Sequence, residues 1–161
     1  MRDAGPNETA GQADAVMRAA RVLVGIIARS ITEVEHEVSI TQFRVLVMIA
    51  TRGSVNLGEV AEGLGVHPSN ATRTVERLVV AGLIERAENP VDRRYLVLKL
   101  TRQGHDIVER VMAYRRGAIE SVLEDMPGAR RQALASALGA FAEAAGEPSR
   151  GEEAYVLGLP T

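Results

Sequence analysis

Apolar residues recur along this chain with two different periods, and the points where the period changes divide it into elements. From about residue 12 to 37, Val16, Ala19, Ala20, Leu23, Ile26, Ile27, Ile31 and Val34 return at helical spacing. This predicts one long amphipathic helix with a broad apolar stripe. Ser39, with Gln42 three residues on, fits a capping box that opens a second helix, QFRVLVMIATR, which Gly53 ends. Asn56 with Glu59 marks a third start, and the short helix LGEVAEGL stops near Gly63 and Gly65. Pro68 stands where a first helical residue would, and SNATRTVERLVVA runs on to Gly82.

The period then falls to two. LIERAE and YLVLKL read as strands on either side of the Asn89-Pro90 turn. Thr101 is placed to cap a further long helix to about Asp125, with Ile107, Val108, Val111, Met112, Ile119, Val122 and Leu123 on its apolar side. Pro127-Gly128 breaks it, and a last helix presents Leu134, Ala137, Leu138 and Phe141 before Gly146. Residues 1–11 hold Gly5, Pro6 and Gly11 among polar neighbours and read as a flexible arm, and residues 146–161 as a loose C-terminal tail. The fold class expected is mainly α with a small β-hairpin wing.

Composition narrows the field. At 161 residues the chain is expected to form one domain with a real core. It has no cysteine, which removes disulfides, thiol nucleophiles and thiolate metal sites together. The first residues lack the apolar segment of a signal peptide. No apolar run reaches the length of about 18 residues that spans a bilayer. The expectation is therefore a cytoplasmic protein without a membrane partner. Net charge is −2 overall and divides into −2 for residues 1–40, +1 for 41–94 and −1 for 95–161. Bulk charge gives no support to nucleic-acid binding, so any such case rests on local placement.

The middle of the chain supplies that placement. A short helix, a tight glycine-containing turn, a second helix opening Pro-Ser-Asn and then a hairpin make a winged helix-turn-helix over residues 39–100. On the second helix, Ala71, Val75 and Leu78 fall on one face and pack inward, so Ser69, Asn70, Thr72, Arg73, Glu76 and Arg77 point outward. Asn and Arg each bond two edge atoms of one base in a major groove, while Ser and Thr reach phosphates or bases. A solvated helix face uses the same residue types. The hairpin decides between the two readings: its tip carries Asp92, Arg93 and Arg94, and an arginine there suits the narrow, negative minor groove. Asp92 is either an ordinary turn acid or the partner that aims an arginine.

ITQFRVLVMIA, LGEVAEGLGV, PSNATRTVERLVVAGLIER, the Asp92-Arg93-Arg94 turn and VLKLTRQG, in this order and spacing, resemble the MarR family of bacterial transcriptional regulators. The dense part of the resemblance covers residues 39 to about 105. It implies a homodimer in which residues 12–38 and 101–145 form a helical dimerisation region, and a recognition helix over 68–81 with a wing over 84–99. It also implies Arg94 as the minor-groove arginine, with Arg93 beside it and Asp92 orienting it. Double-stranded DNA and a second copy are the implied partners, the operator a pseudo-palindrome, the action repression relieved by a small aromatic or anionic effector. One departure is His67, where relatives often carry a better capping residue before the proline. An exposed linker histidine is the expected role, with a phosphate contact as the alternative.

Independent of the family, the terminal helices have apolar stripes too wide for one winged domain to cover, which also points to a dimer. Ile31, Phe43 and Val47 are the candidate lining of an effector crevice, although their periodicity marks them first as core. Two Glu–His groupings, His105 with Glu109 and Glu33 with His36 and Glu37, are candidate metal ligands. A site needs three or four converging donors, so neither a metal nor any other cofactor is expected. No nucleophile motif, phosphate loop or convergent His–acid set is present, so an enzyme is not expected. The remaining alternatives are a metal-responsive regulator and a winged-helix dimer used for protein contacts; the latter would place apolar or aromatic anchors on the outward face.

Overall fold

The computed structural model describes residues 6–89 and 95–146. Its elements run α1 (Pro6–Thr32), α2 (Ile40–Arg52), α3 (Leu57–Leu64), α4 (Pro68–Val80), β1 (Ile84–Glu88), β2 (Leu96–Leu100), α5 (Arg102–Glu124) and α6 (Gly128–Ala144). The mainly α class with a two-stranded hairpin matches the sequence expectation.

The helix starts are held by the residues that predicted them. Ser39 accepts the Gln42 amide while Gln42 Oε1 accepts the Ser39 amide, at 3.3 and 2.8 Å. Asn56 and Glu59 form the same reciprocal pair at 3.0 and 2.7 Å, so two otherwise orphaned donors are satisfied at each start. Gly65, at φ +65°, takes the left-handed conformation that closes α3. Gly63 remains inside that helix, where an added Cβ would lie 2.4 Å from Met48 Cε of α2.

Two boundaries differ from the expectation at the first helix. It begins at Pro6, so residues 6–11, read as an arm, are helical. Residues 8–15 are exposed and carry nothing more apolar than alanine, so the stripe that periodicity finds opens only at Val16, after the helix has begun. The helix ends at Thr32, short of residue 37. Turns follow, with Val34 and Val38 donating to the carbonyls of Ile31 and Val34. Val34 is 1% exposed, so its apolar spacing from Ile31 continued the helical pattern through a turn.

The core sits under the winged helix. Phe43, Leu46 and Ile49 of α2, Val60 of α3, Val75 and Leu78 of α4, Ile84 of β1 and Val111 of α5 are buried together. The strands pair antiparallel from Ile84↔Leu100 to Glu88↔Leu96. Val55, between α2 and α3, bridges Leu98 through two backbone hydrogen bonds of 3.2 and 2.7 Å, a one-residue addition to the sheet that periodicity missed.

Thr101 and Gly104 join the hairpin to α5. Thr101 Oγ1 donates to the Gly82 carbonyl at 2.6 Å and accepts the Gly104 amide at 3.2 Å, while the Thr101 amide donates to the Leu83 carbonyl. Gly104 is buried, and a Cβ there would lie 2.1 Å from the Leu83 oxygen. The Leu-Thr-x-x-Gly pattern is the chemistry of this junction.

Away from the winged helix, α1 and α5 cross. Ser30, fully buried, donates to the Ile27 carbonyl and accepts Arg115 Nε at 2.8 Å. Arg115 Nη2 is buried with no hydrogen-bond partner among the described residues, and burial lowers the pKa of this guanidinium from its ordinary value. Further out, apolar side chains stay in solvent: Val16, Met17, Val22, Leu23 and Val24 of α1, Ile119 and Val122 of α5, Leu138 and Phe141 of α6. No residue of α6 is buried. An apolar groove of about 320 Å³ runs between these three helices, lined among others by Leu23, Ile26, Ile119, Val122, Leu134 and Leu138. No helix of the described residues is long and apolar enough to cross a membrane.

Candidate nucleic-acid interface

The recognition element is α4, and its inward face is as expected: Ala71, Val75 and Leu78 are buried. Ser69, Asn70, Arg73, Glu76 and Arg77 are exposed, whereas Thr72 is half-buried. Asn70, Arg73 and Arg77 follow at three- and four-residue steps and therefore share one outward stripe. Val80, at 89% exposure, continues that stripe. The reading of the sequence left it out, although the same spacing from Asn70 would have reached it. It ends the polar row with an exposed apolar group.

α3 packs against α4 and is tied to α2 by two polar contacts. Arg44 of α2 donates to the Gly63 carbonyl at 3.1 Å, and Arg52 lies 3.7 Å from Glu59. Both contacts are exposed and contribute little stability each; their value is in orienting α3 against α2.

His67 has a definite role in the structure. It is the N-cap of α4: Nδ1 accepts the Ser69 amide at 3.4 Å and lies 3.0 Å from Ser69 Oγ. It is exposed, as expected of a linker histidine, but it also caps. Imidazole Nδ1 reaches the same amide that a Ser or Asp oxygen would, and this was not visible from cap statistics. Thr72 Oγ1 donates to the Pro68 carbonyl at 2.9 Å and Thr74 Oγ1 to the Asn70 carbonyl at 3.0 Å.

The hairpin stands beside α4. Leu83, buried, links the α4 turn to β1 and donates its amide to the Leu78 carbonyl. Beyond the last strand pair, the Asn89 amide donates to the Tyr95 carbonyl at 2.9 Å, so the ladder continues to the edge of the wing tip. Asp92, Arg93 and Arg94 belong to the five residues between Asn89 and Tyr95, and they lie outside the described residues.

Ile31, Phe43 and Val47, the candidate lining of an effector crevice, take the core role that their periodicity marks first. Phe43 and Val47 are 0% and 3% exposed members of the core, and Ile31 packs against it. A polar recess of about 590 Å³ opens elsewhere, lined by Glu37, Ala81, Leu83, Gln103, Asp106, Ile107 and Arg110. Across it, Arg110 donates to Glu37 at 2.5 Å. Glu37 therefore belongs to an ion pair rather than to the grouping with Glu33 and His36. No set of three or more candidate metal ligands converges among the described residues.

A helix-turn-helix whose second helix turns an arginine-bearing polar face outward, beside a β-hairpin, defines a winged-helix DNA-binding regulator. A profile of the MarR family matches residues 38–96. The chain is similar to the crystal structure of RV1404 from Mycobacterium tuberculosis, 41% identical, over 91% of this chain and 99% of that one, with a TM-score of 0.75. It is similar to the multiple antibiotic resistance protein MarR of Salmonella typhimurium, 38% identical over 74 residues that make up 46% of this chain and 51% of that protein. To the HTH-type transcriptional repressor MdtR of Bacillus subtilis it is 37% identical over 82 residues, 51% of this chain and 53% of that one. The chain thus spans about half the length of these two relatives. It belongs to the MarR family of winged helix-turn-helix transcriptional regulators.

Proposed function

We propose that the protein is a homodimeric repressor that reads a pseudo-palindromic operator through α4 and the wing. The observation that carries this reading is the outward row Asn70, Arg73 and Arg77 on a helix whose opposite face is locked into the core. In the proposed complex these three side chains enter the major groove with Ser69 and Thr72 at the helix head. Arg94 enters the minor groove, with Arg93 beside it and Asp92 holding its guanidinium in register. The exposed apolar side chains of α1, α5 and α6 around their shared groove support the dimer, as surface that a second copy would cover.

Relief by a small molecule belongs to the same proposal. The polar recess beside Arg110 is its candidate seat. Two acids there, Glu37 and Asp106, face one arginine already engaged by Glu37. Such a site favours a neutral or cationic compound over the anionic aromatic ligand that the family resemblance implies.

The test is an electrophoretic shift of the DNA upstream of the protein's own operon. Arg94→Ala is expected to weaken the complex by at least about tenfold, the scale of one charge-assisted contact, while the dimer persists. Unchanged affinity would remove the wing from the interface.

A further inference from the structure

At the head of α4 every backbone donor is engaged. Pro68 has no N–H, the Ser69 amide donates to His67 Nδ1 at 3.4 Å, and the amides of Asn70 and Ala71 both donate to the His67 carbonyl, at 2.9 and 3.3 Å. The first turn thus lacks the free amides through which a helix N-terminus ordinarily holds a phosphate.

The two hydroxyls there are engaged as well. Thr72 donates its proton to the Pro68 carbonyl at 2.9 Å. Ser69 Oγ lies 3.0 Å from the same His67 Nδ1. In the tautomer in which Nδ1 accepts the Ser69 amide, that nitrogen presents a lone pair, and Ser69 is then the donor and Nδ1 the acceptor in this contact. Both hydroxyls then turn only lone pairs toward an approaching ligand, and a phosphate oxygen, itself an acceptor, finds no proton on either. In that tautomer the ring carries its proton on Nε2. The His67 ring is exposed, and Nε2 has no partner among the described residues.

We infer that His67 is the phosphate donor at the head of the recognition helix, and that Ser69 and Thr72 face DNA as acceptors. Nε2–H is the proton offered to the backbone. The two hydroxyls are matched to the exocyclic amino groups of adenine or cytosine in the major groove. His67 thereby does two jobs through its two nitrogens: Nδ1 caps the helix and Nε2 anchors it. The inference rests on the DNA-binding reading above and assigns roles within that interface.

The test uses the full-length protein and a duplex of about 30 base pairs that it enriches from random-sequence DNA, long enough for two half-sites one turn apart. His67→Ser and His67→Asn both keep a capping acceptor but are too short to reach the backbone. Each is expected to retain the wild-type melting temperature and to bind about tenfold or more weakly, as for loss of a hydrogen bond to a charged group. Scanning the duplex with single neutral methylphosphonates should find a phosphate in each half-site whose replacement weakens the wild type and leaves both variants unaffected. His67→Ala should lower the melting temperature as well, which separates the cap from the contact. Wild-type affinity in His67→Ser, or undiminished sensitivity of both variants to the same methylphosphonates, would overturn the inference while leaving DNA binding intact. Failure of the wild type to enrich any duplex would remove the DNA-binding reading itself, and the inference with it.

Discussion

Gly104 shows how little of a residue's role is carried by its chemistry alone. Its α-hydrogen faces the Leu83 carbonyl, and any Cβ would stand 2.1 Å from that oxygen. The obstacle is backbone, which cannot rotate away, so Gly104→Ala must push α5 off the base of the wing. A loss of about 1–3 kcal/mol is expected, the usual range for overpacking, read from urea denaturation; an unchanged midpoint would contradict this account of the junction. The Leu-Thr-x-x-Gly pattern was legible as a family signature, but its cause was not, because the contact joins residues on two elements. His67 is exposed as expected, but its capping contact was not legible for a related reason. Cap preferences rank residue types by average, and the average does not register an imidazole nitrogen held two residues from the amide it accepts. Phe43 and Val47, by contrast, were legible as core from periodicity, and both are buried.

At the scale of elements, the sequence was most informative where local chemistry sets the boundary. The capping boxes at Ser39 and Asn56 and the proline at the start of α4 place three helix starts to the residue. It was least informative where a boundary depends on what lies nearby. The start of α1 at Pro6 precedes the stripe, which opens only at Val16, and its end at Thr32 was hidden by Val34, an apolar turn residue buried at helical spacing. The Val55 bridge to Leu98 depends on a single residue, too short for any period to mark. α4 was read well on both faces because one pattern, Ala71, Val75 and Leu78 inward, determines the other. The wing strands were also legible, while the wing tip, which carries Asp92, Arg93 and Arg94, remains a proposal that rests on residue type and spacing.

For the whole molecule, the division of labour follows from where apolar surface is covered and where it is not. The winged helix encloses its own core, whereas α1, α5 and α6 leave Leu23, Ile119, Val122, Leu138 and Phe141 exposed around a shared groove. In the proposed dimer a second copy covers this surface, and each α4 then serves one half of a twofold operator. Leu138→Glu, which puts a charge into the groove, is expected to yield a monomer by light scattering and to lose operator binding with it. A wild-type chain that is itself monomeric at micromolar concentration would contradict the dimer. Net charge of −2 is no obstacle to this function, since what matters is local placement: Arg73 and Arg77 stand on the outward face of α4, and Arg93 and Arg94 lie in the wing sequence.

The central claim is that α4 reads base sequence, and in vitro selection followed by footprinting tests it most directly. The account predicts an enriched palindrome with half-sites about 10 base pairs apart, protected in adjacent major grooves. Arg77→Ala should bind that duplex at least about tenfold more weakly and with relaxed preference at one position of each half-site, with the dimer unchanged. Enrichment of no common sequence, or an Arg77→Ala protein with wild-type affinity and preference, would contradict it.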